Sequence, residues 1–161
     1  MATSMNKTQK TLTAAGIFLT VVGAVIGARV DAASAVKISG VSAMTALGSN
    51  QSCSKYLWGG LINNCGSTQS YAVPLPFTTS GSKSVSFRAK GSTSSNNVSC
   101  RGISMSDSGG SYYSTSWGEL SSFGSMQTVS LGSMNVVGTG SVYLHCDIDD
   151  GGKLFLVTWD E

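Results

Sequence analysis

Three aspartates near the C-terminus, Asp147, Asp149 and Asp150, form the densest group of possible metal ligands in the sequence. Carboxylate oxygens are ligands that calcium prefers, and Gly151 and Gly152 would let the backbone curl around an ion. The spacing is not that of an EF-hand, and Asp-Gly is also common in hairpin turns. Two interpretations stay open, a solvated turn without a cofactor or a calcium site at these three aspartates.

Aromatic side chains offer a second possible site, in the Ser- and Gly-rich stretch 107–118. An exposed tyrosine or tryptophan can stack on a sugar ring, because it combines an apolar face with a polar edge. Strict alternation along a strand would place Tyr113 and Trp117 on one face and Tyr112 on the other. One of the two faces is expected to pack into the core. The alternative is a sugar-binding platform, with Tyr113 and Trp117 as the candidate ligand-binding residues.

The single histidine, His145, restricts the catalytic possibilities. It excludes metal motifs that need two histidines, and the sequence has no Gly-x-Ser-x-Gly elbow, dinucleotide-binding fingerprint or phosphate loop. A Ser-His-Asp triad has no positional support around His145, and a glycosidase pair would have only Glu119 and the terminal Glu161 as glutamates. We therefore expect a protein that is not an enzyme.

Four cysteines are the clearest structural signal. Cys53, Cys65, Cys100 and Cys146 have spacings that match neither zinc ligands nor a Cys-x-x-Cys redox motif. An even number in an exported chain predicts two structural disulfides. Of the three possible pairings we favour Cys53 with Cys65, which closes a short loop, and Cys100 with Cys146, which lie in strongly patterned strands.

The first 35 residues have the composition of an export signal. Lys7 and Lys10 precede an uncharged, apolar stretch over 11–28, and the small residues Ala33-Ser34-Ala35 follow. This order is that of a signal peptide and predicts cleavage after Ala35, so that the protein is secreted or displayed at the cell surface. The alternative is an uncleaved leader that acts as a membrane anchor. The domain prediction is a signal peptide at 1–35, an N-terminal extension at 36–52 and a β-sandwich at 53–161.

The charge balance excludes a nucleic-acid partner. Only 11% of the 161 residues are charged, compared with roughly 25% in ordinary soluble domains. Removal of residues 1–35 leaves seven basic and seven acidic side chains. The basic residues are scattered and form no run that could follow a phosphate backbone.

The hydrophobic pattern after the leader has a period of two. Residues 141–148 alternate, with Val142, Leu144, Cys146 and Ile148 on one face, and the apolar stretch 153–159 follows after a Gly-supported turn. Further strands are predicted at 71–75, 84–89, 97–105, 111–117 and 127–131. The fold class is therefore all-β, an antiparallel β-sandwich or jelly roll stapled by disulfides.

The predicted strand around Cys100 contains an irregularity. Val98 and Cys100 share one face, whereas Ile103 and Met105 fall on the other unless a bulge at Gly102 returns them to the core.

An immunoglobulin domain is a related alternative, because Trp117 lies between two paired cysteines. Leu144 stands where that fold has its corner tyrosine, so we favour a generic sandwich.

Several short motifs resemble those of the short exported β-sandwich proteins common in myxobacteria and related bacteria, a largely uncharacterised group. The motifs are Cys53, Gly60-Leu61-Ile62-Asn63, Val73-Pro74-Leu75-Pro76, Val98-Ser99-Cys100 and Tyr143-Leu144-His145-Cys146-Asp147-Ile148. That group usually has a cysteine immediately before Pro-Leu-Pro, where Val73 stands here. The resemblance implies an exported sandwich and no activity.

Together these features predict an exported, non-catalytic domain that acts as a surface or matrix protein and contacts an extracellular polymer or protein. The alternative is a carbohydrate-binding module, with calcium support from the aspartates and stacking by Tyr113 and Trp117. Contact with a membrane is expected only through an uncleaved leader.

Overall fold

The computed structural model describes residues 35–40, 43–45, 51–57, 59–138 and 140–160. These residues form two antiparallel β-sheets and belong to one compact unit. They contain no α-helix, and short 3-10 turns lie at Gln51–Cys53 and Ser94–Asn96. Among these described residues, no helix has the length and apolar character needed to span a bilayer. The predicted signal peptide lies outside the described residues, except for Ala35.

The described residues form twelve strands. In chain order they are β1 (Ala35–Ser39), β2 (Met44–Thr45), β3 (Ser54–Leu57), β4 (Gly60–Asn63), β5 (Gln69–Pro74), β6 (Gly81–Lys90), β7 (Val98–Ser106), β8 (Tyr112–Ser114), β9 (Gly118–Glu119), β10 (Gln127–Val136), β11 (Gly140–Ile148) and β12 (Lys153–Asp160). The first sheet has the order β10-β6-β12-β4-β3, with β1 paired to β12. The second sheet has the order β2-β5-β11-β7-β8, with β9 paired to β7. The all-β sandwich expected from the sequence is confirmed.

Strands β11 and β12 lie at the centre of the two sheets. Strand β11 pairs with both β5 and β7, and β12 pairs with β6 on one side and with β4 and β1 on the other. Leu144, Cys146 and Ile148 are fully buried, as the alternating pattern predicts. Gly151, with a φ of 78°, occupies the left-handed region in the turn between the two strands.

The segment expected as an N-terminal extension contributes to the sandwich. Strand β1 pairs with β12 from Ala35↔Asp160 to Ser39↔Leu156, and β2 pairs with β5. Gly40 allows a close approach after β1, because a Cβ atom there would lie 2.2 Å from the carbonyl oxygen of Leu154. The sandwich therefore begins well before Cys53. Strands β1 and β2 have only five and two residues, so the sequence of this segment does not identify their partner strands.

The core lies between the two sheets. Its largest fully buried side chains include Trp159 and Phe87 from the first sheet and Tyr71 and Leu144 from the second. The hydroxyl group of Tyr71 is hydrogen-bonded to Oγ of Ser54 at 2.6 Å, which links β5 to β3 in the opposite sheet. Burial raises the pKa of the Tyr71 phenol above its usual value.

Both predicted disulfides are present. Cys53–Cys65 closes the short loop that contains β3 and β4, and Cys100–Cys146 joins two directly paired residues of β7 and β11. Each bridge is expected to contribute about 2 to 4 kcal/mol of stability. Because Cys100–Cys146 lies within one sheet, it differs from the bridge between sheets that defines an immunoglobulin domain.

Strand β7 does not contain the predicted bulge. Its pairing with β11 is continuous from Val98↔Ile148 to Ser106↔Gly140. Ile103 therefore lies on the outer face of the sheet, and Ser104 lies on the inner face, where its Oγ accepts a hydrogen bond from the backbone of Val137 at 3.1 Å. The core at this point is partly polar, which a purely hydrophobic reading of the strand could not anticipate.

Candidate functional site

The edge of the second sheet contains a bulge, one strand away from the predicted position. Ile103 pairs with Ser114, whereas Cys100 pairs with Gly118. Two residues of β7, Arg101 and Gly102, therefore face three residues of the edge segment, 115–117. An extra residue of this kind reverses the alternation beyond it, so that side chains which would have pointed inward point outward.

Thr115 holds the bulge in place. Its backbone N–H donates to the carbonyl oxygen of Gly102 at 3.0 Å, and its Oγ1 accepts a hydrogen bond from the backbone N–H of Gly102 at 2.9 Å. The same hydroxyl donates to the carbonyl oxygen of Ser116 at 2.9 Å. The side chain thus takes the place of the backbone acceptor that a regular ladder would supply, in a position that is 9% exposed.

The bulge places Trp117 on the outer face of the second sheet. The Trp117 ring lies 5.3 Å from the His145 ring, centroid to centroid, and Cζ of Arg101 lies 4.7 Å from the Trp117 centroid. Trp117 remains 42% exposed, so the interpretation that it packs into the core is wrong. We call the outer surface formed by Arg101, Trp117, His145 and Asp147 the Trp117 face.

Arg101 packs against Trp117 as a cation–π pair. Its Nε atom is buried and has no hydrogen-bond partner, and no ion pair among the described residues involves its guanidinium group. This contact fixes one side of the indole and leaves a positive charge beside it.

Asp147 and His145 extend the Trp117 face across β11. Nε2 of His145 lies 3.7 Å from Oδ1 of Asp147, which also accepts a hydrogen bond from Oγ of Ser70 at 2.5 Å. The side chain of His145 is 24% exposed, since Trp117 covers part of it. His145 is therefore a half-buried neighbour of the tryptophan.

A pocket opens on the same sheet beside the Trp117 face. It has a volume of about 410 Å³, and Ala72, Pro74, Ser141 and Tyr143 are among the residues that line it. Tyr143 is two residues from His145 along β11, on the same outer face. The outer surface of the second sheet thus offers an aromatic ring with polar neighbours and a small pocket next to it.

The two candidate stacking residues do not share a face. Tyr113 pairs with the inward-pointing Ser104 and is 42% exposed at the sheet edge, whereas Tyr112 pairs with Met105 on the outer face. Tyr112, not Tyr113, is therefore on the side of Trp117. The alternation rule gave the opposite grouping because it assumed an unbroken strand from 111 to 117. Arg101 was not among the sequence candidates, although a single arginine in a strand of small and apolar residues was a visible signal.

The three aspartates point to separate partners. Asp149 accepts a hydrogen bond from Oγ1 of Thr68 at 2.6 Å, and Oδ1 of Asp150 accepts one from the backbone of Gly66 at 2.9 Å. Asp147 lies on the Trp117 face. Within the part of the chain that the structure describes, no group of three or more His, Cys, Asp or Glu side chains is arranged to hold a metal ion. The geometry favours the hairpin-turn interpretation, and calcium binding stays a prediction.

Asn63 positions this hairpin. The sequence analysis named it only as part of a motif and gave it no role of its own. It is fully buried, and its Nδ2 donates to the carbonyl oxygens of Ile148 and Ser67 at 2.7 and 2.8 Å. Its Oδ1 accepts a hydrogen bond from the backbone of Cys65 at 3.0 Å. One amide side chain therefore ties the end of β11 to the loop that follows β4.

No protein-family model and no curated protein matches the sequence, so its resemblance to the exported myxobacterial proteins stays a prediction. Several solved structures are similar in fold. The C-terminal CBM6 of LamC, a marine laminarinase from Zobellia galactanivorans, has a TM-score of 0.48 at 21% identity, over 80% of this chain and 100% of that one. A carbohydrate-binding module from Cellvibrio mixtus lichenase 5A, solved with cellotriose, has a TM-score of 0.45 at 16% identity, over 78% and 96%. TmCBM61, solved with β-1,4-galactotriose, has a TM-score of 0.39 at 16% identity, over 79% and 88%. At these values the likeness carries no argument about ligand or activity.

Proposed function

We propose that this protein is an exported, non-catalytic β-sandwich domain that binds carbohydrate on the Trp117 face. The observation that carries the proposal is the presentation of Trp117 at an open sheet surface by a bulge, in contact with Arg101 and His145. A tryptophan ring can cover the apolar face of a sugar, while neighbouring polar groups bond to its hydroxyl groups.

The surroundings of the ring favour a sugar over an apolar protein segment. The indole is in contact with the cation of Arg101 and the imidazole of His145. The carboxylate of Asp147 lies next to that imidazole. Polar groups at a few fixed positions around an apolar surface are typical of small-molecule sites. The pocket beside Tyr143 lies within the usual size range of such sites, roughly 300 to 1,000 Å³, and offers room for a second sugar unit.

The disulfides support the exported part of the proposal. All four cysteines are paired, and the Cys100–Cys146 bridge is fully buried in the sandwich. Disulfides of this kind form and persist outside the reducing cytosol. This agrees with the signal peptide predicted from residues 1–35. With the Trp117 face as a binding site, the expectation of a surface or matrix protein becomes the more specific one of a polysaccharide binder.

Affinity electrophoresis through gels that contain single soluble polysaccharides tests the proposal. We expect the oxidised wild-type protein to be retarded by at least one polymer and Trp117→Ala to lose that retardation by at least about tenfold, because stacking on the ring is lost. Tyr113→Ala is the matched control, since this aromatic residue is equally exposed but lies outside the Trp117 face.

Three results would contradict the proposal. They are a wild-type protein that no polymer retards, a Trp117→Ala variant that is retarded as strongly as the wild type, and a loss confined to Tyr113→Ala. The non-catalytic part is tested on the same polymers, because an increase in reducing ends after incubation with the wild-type protein would reveal hydrolysis.

A further inference from the structure

Arg101 is the only lysine or arginine in the described strands of the second sheet. Its guanidinium group lies over one face of the tryptophan that we propose as the stacking surface, with Cζ 4.7 Å from the ring centroid, so a sugar ring would stack on the other face. The one lysine or arginine of these strands thus contacts an exposed aromatic ring.

The acidic groups of the same face are engaged elsewhere. Oδ1 of Asp147 interacts with Ser70 and His145, and Oε2 of Glu119 accepts a hydrogen bond from Nδ2 of Asn97 at 3.1 Å. Within the described residues, neither carboxylate forms an ion pair with Arg101. Within the described part of the chain, the guanidinium group of Arg101 therefore has no ion-pair partner.

An unpaired guanidinium group at the edge of a binding surface favours an anion. Arginine presents parallel N–H groups that match the two oxygens of a carboxylate or a sulfate, and such charge-assisted hydrogen bonds are stronger than neutral ones. Nε of Arg101 is enclosed, so the terminal Nη1 and Nη2 atoms are the pair left for a ligand. The contact with Trp117 holds the guanidinium plane in place before the ligand arrives.

We infer that the ligand is an acidic polysaccharide, whose carboxylate or sulfate group binds to Arg101 while the sugar ring that carries it stacks on Trp117. This inference rests on the proposed function and adds the charge class of the polymer. Two acidic side chains, Asp147 of the Trp117 face and Glu119 of β9, lie one row of paired residues away from Arg101 along the strands. They would repel an anion placed at their end of the face and so direct it towards the side of Tyr143.

Matched polymer pairs test the inference. Polygalacturonate is compared with its carboxyl-reduced form, and dextran sulfate with dextran, which separates a carboxylate from a sulfate as the recognised group. We expect one acidic polymer to retard the protein at least about tenfold more strongly than its neutral counterpart, and the difference to shrink with added salt.

Variants separate a specific contact from general charge attraction. Arg101→Met is expected to lose the preference for the acidic polymer, Arg101→Lys to keep part of it, and Arg88→Met to keep all of it, since Arg88 is exposed on the opposite sheet. Thermal melts of each variant verify that it is folded.

The outcomes distinguish the two proposals. Equal retardation by neutral and acidic polymers that depends on Trp117 would overturn the anion preference and leave carbohydrate binding intact. An acidic preference that survives in folded Arg101→Met would also overturn the inference, because the charge would then act elsewhere. A folded protein that binds none of the polymers would overturn the proposed function together with this inference.

Discussion

Replacement of Thr115 by valine tests whether its hydroxyl group holds the bulge that presents Trp117. Valine has nearly the same shape as threonine, so the change removes two hydrogen bonds without opening a cavity. The lost bonds are those from the backbone N–H of Gly102 to Oγ1 and from Oγ1 to the carbonyl oxygen of Ser116.

The size of the effect follows from burial. Gly102 is buried, so its N–H group would have no partner and would keep its full desolvation cost, about 1 to 3 kcal/mol. The second bond leads to the exposed Ser116, where water can replace the hydroxyl group, and adds about 0.5 to 1 kcal/mol. We therefore expect Thr115→Val to lower the free energy of unfolding by about 1.5 to 4 kcal/mol and to weaken polysaccharide retardation, because Trp117 is no longer fixed.

Urea unfolding of the oxidised protein measures this loss as a lower midpoint at an unchanged m-value. Thr128→Val is the matched control, because Thr128 is exposed on β10 and its change should stay within about 0.5 kcal/mol. A stability loss for Thr115→Val no larger than that of the control would refute the assigned role of the hydroxyl group.

Three further predictions concern residues away from the bulge. Asn63→Ala should lower the free energy of unfolding by about 3 kcal/mol, since three hydrogen bonds at a fully buried position are lost. The exposed neighbour Asn64 should tolerate alanine, and urea unfolding compares the two variants. The raised pKa of Tyr71 implies that stability is unaffected below pH 10.0, where the phenol is neutral in both states, and falls as pH rises further, because the unfolded chain ionises first. In denaturation experiments from pH 8 to pH 11, the free energy of unfolding of Tyr71→Phe should fall less steeply with pH than that of the wild type. Equal slopes for the two proteins would contradict the assignment. Because Asp150 and its neighbours already accept hydrogen bonds, EDTA should leave Tm unchanged, and a drop that calcium reverses would support the calcium site instead.

The strands that could be predicted are those with two well-defined faces. The alternation over 141–148 and the apolar run over 153–159 identify β11 and β12 because both are central and buried. The disulfide pairing was predictable for a related reason, since Cys100 and Cys146 lie in strands whose inner faces the pattern already defines. Strands β1 to β4 were not predicted, because none is longer than five residues and a short strand gives a weak alternation pattern. Strands β1 and β2 also depend on partners far away in the sequence, β12 and β5.

The location of the aromatic site was predictable, and its composition was not. Trp117 could be identified as a candidate from its type and its Ser- and Gly-rich setting. Its orientation depends on one extra residue between two pairs, Ile103↔Ser114 and Cys100↔Gly118, and pairing register is a property of two strands together. The irregularity in the pattern around Gly102 pointed to this place on the sheet, but β7 itself is regular and the bulge lies in the edge segment that it contacts.

Two glycines beside the bulge explain why the tryptophan stays where it is. A Cβ atom at Gly118 would lie 2.6 Å from Cδ2 of Leu131, so a side chain at this position would force Leu131 to shift where the chain directly after Trp117 approaches β10. A Cβ atom at Gly102 would lie 3.0 Å from Sδ of Met134. Gly102 is also the residue whose backbone N–H donates to Oγ1 of Thr115. The indole is therefore held by a bulge that is fixed at both ends against the opposite sheet. A ring held in this way loses little conformational entropy on binding, so its stacking energy contributes to affinity nearly undiminished. By the same reasoning Gly118→Ala, which leaves every side chain of the Trp117 face unchanged, should weaken polysaccharide binding by moving the ring, and unchanged binding by a folded Gly118→Ala protein would show that the position of the ring is not critical.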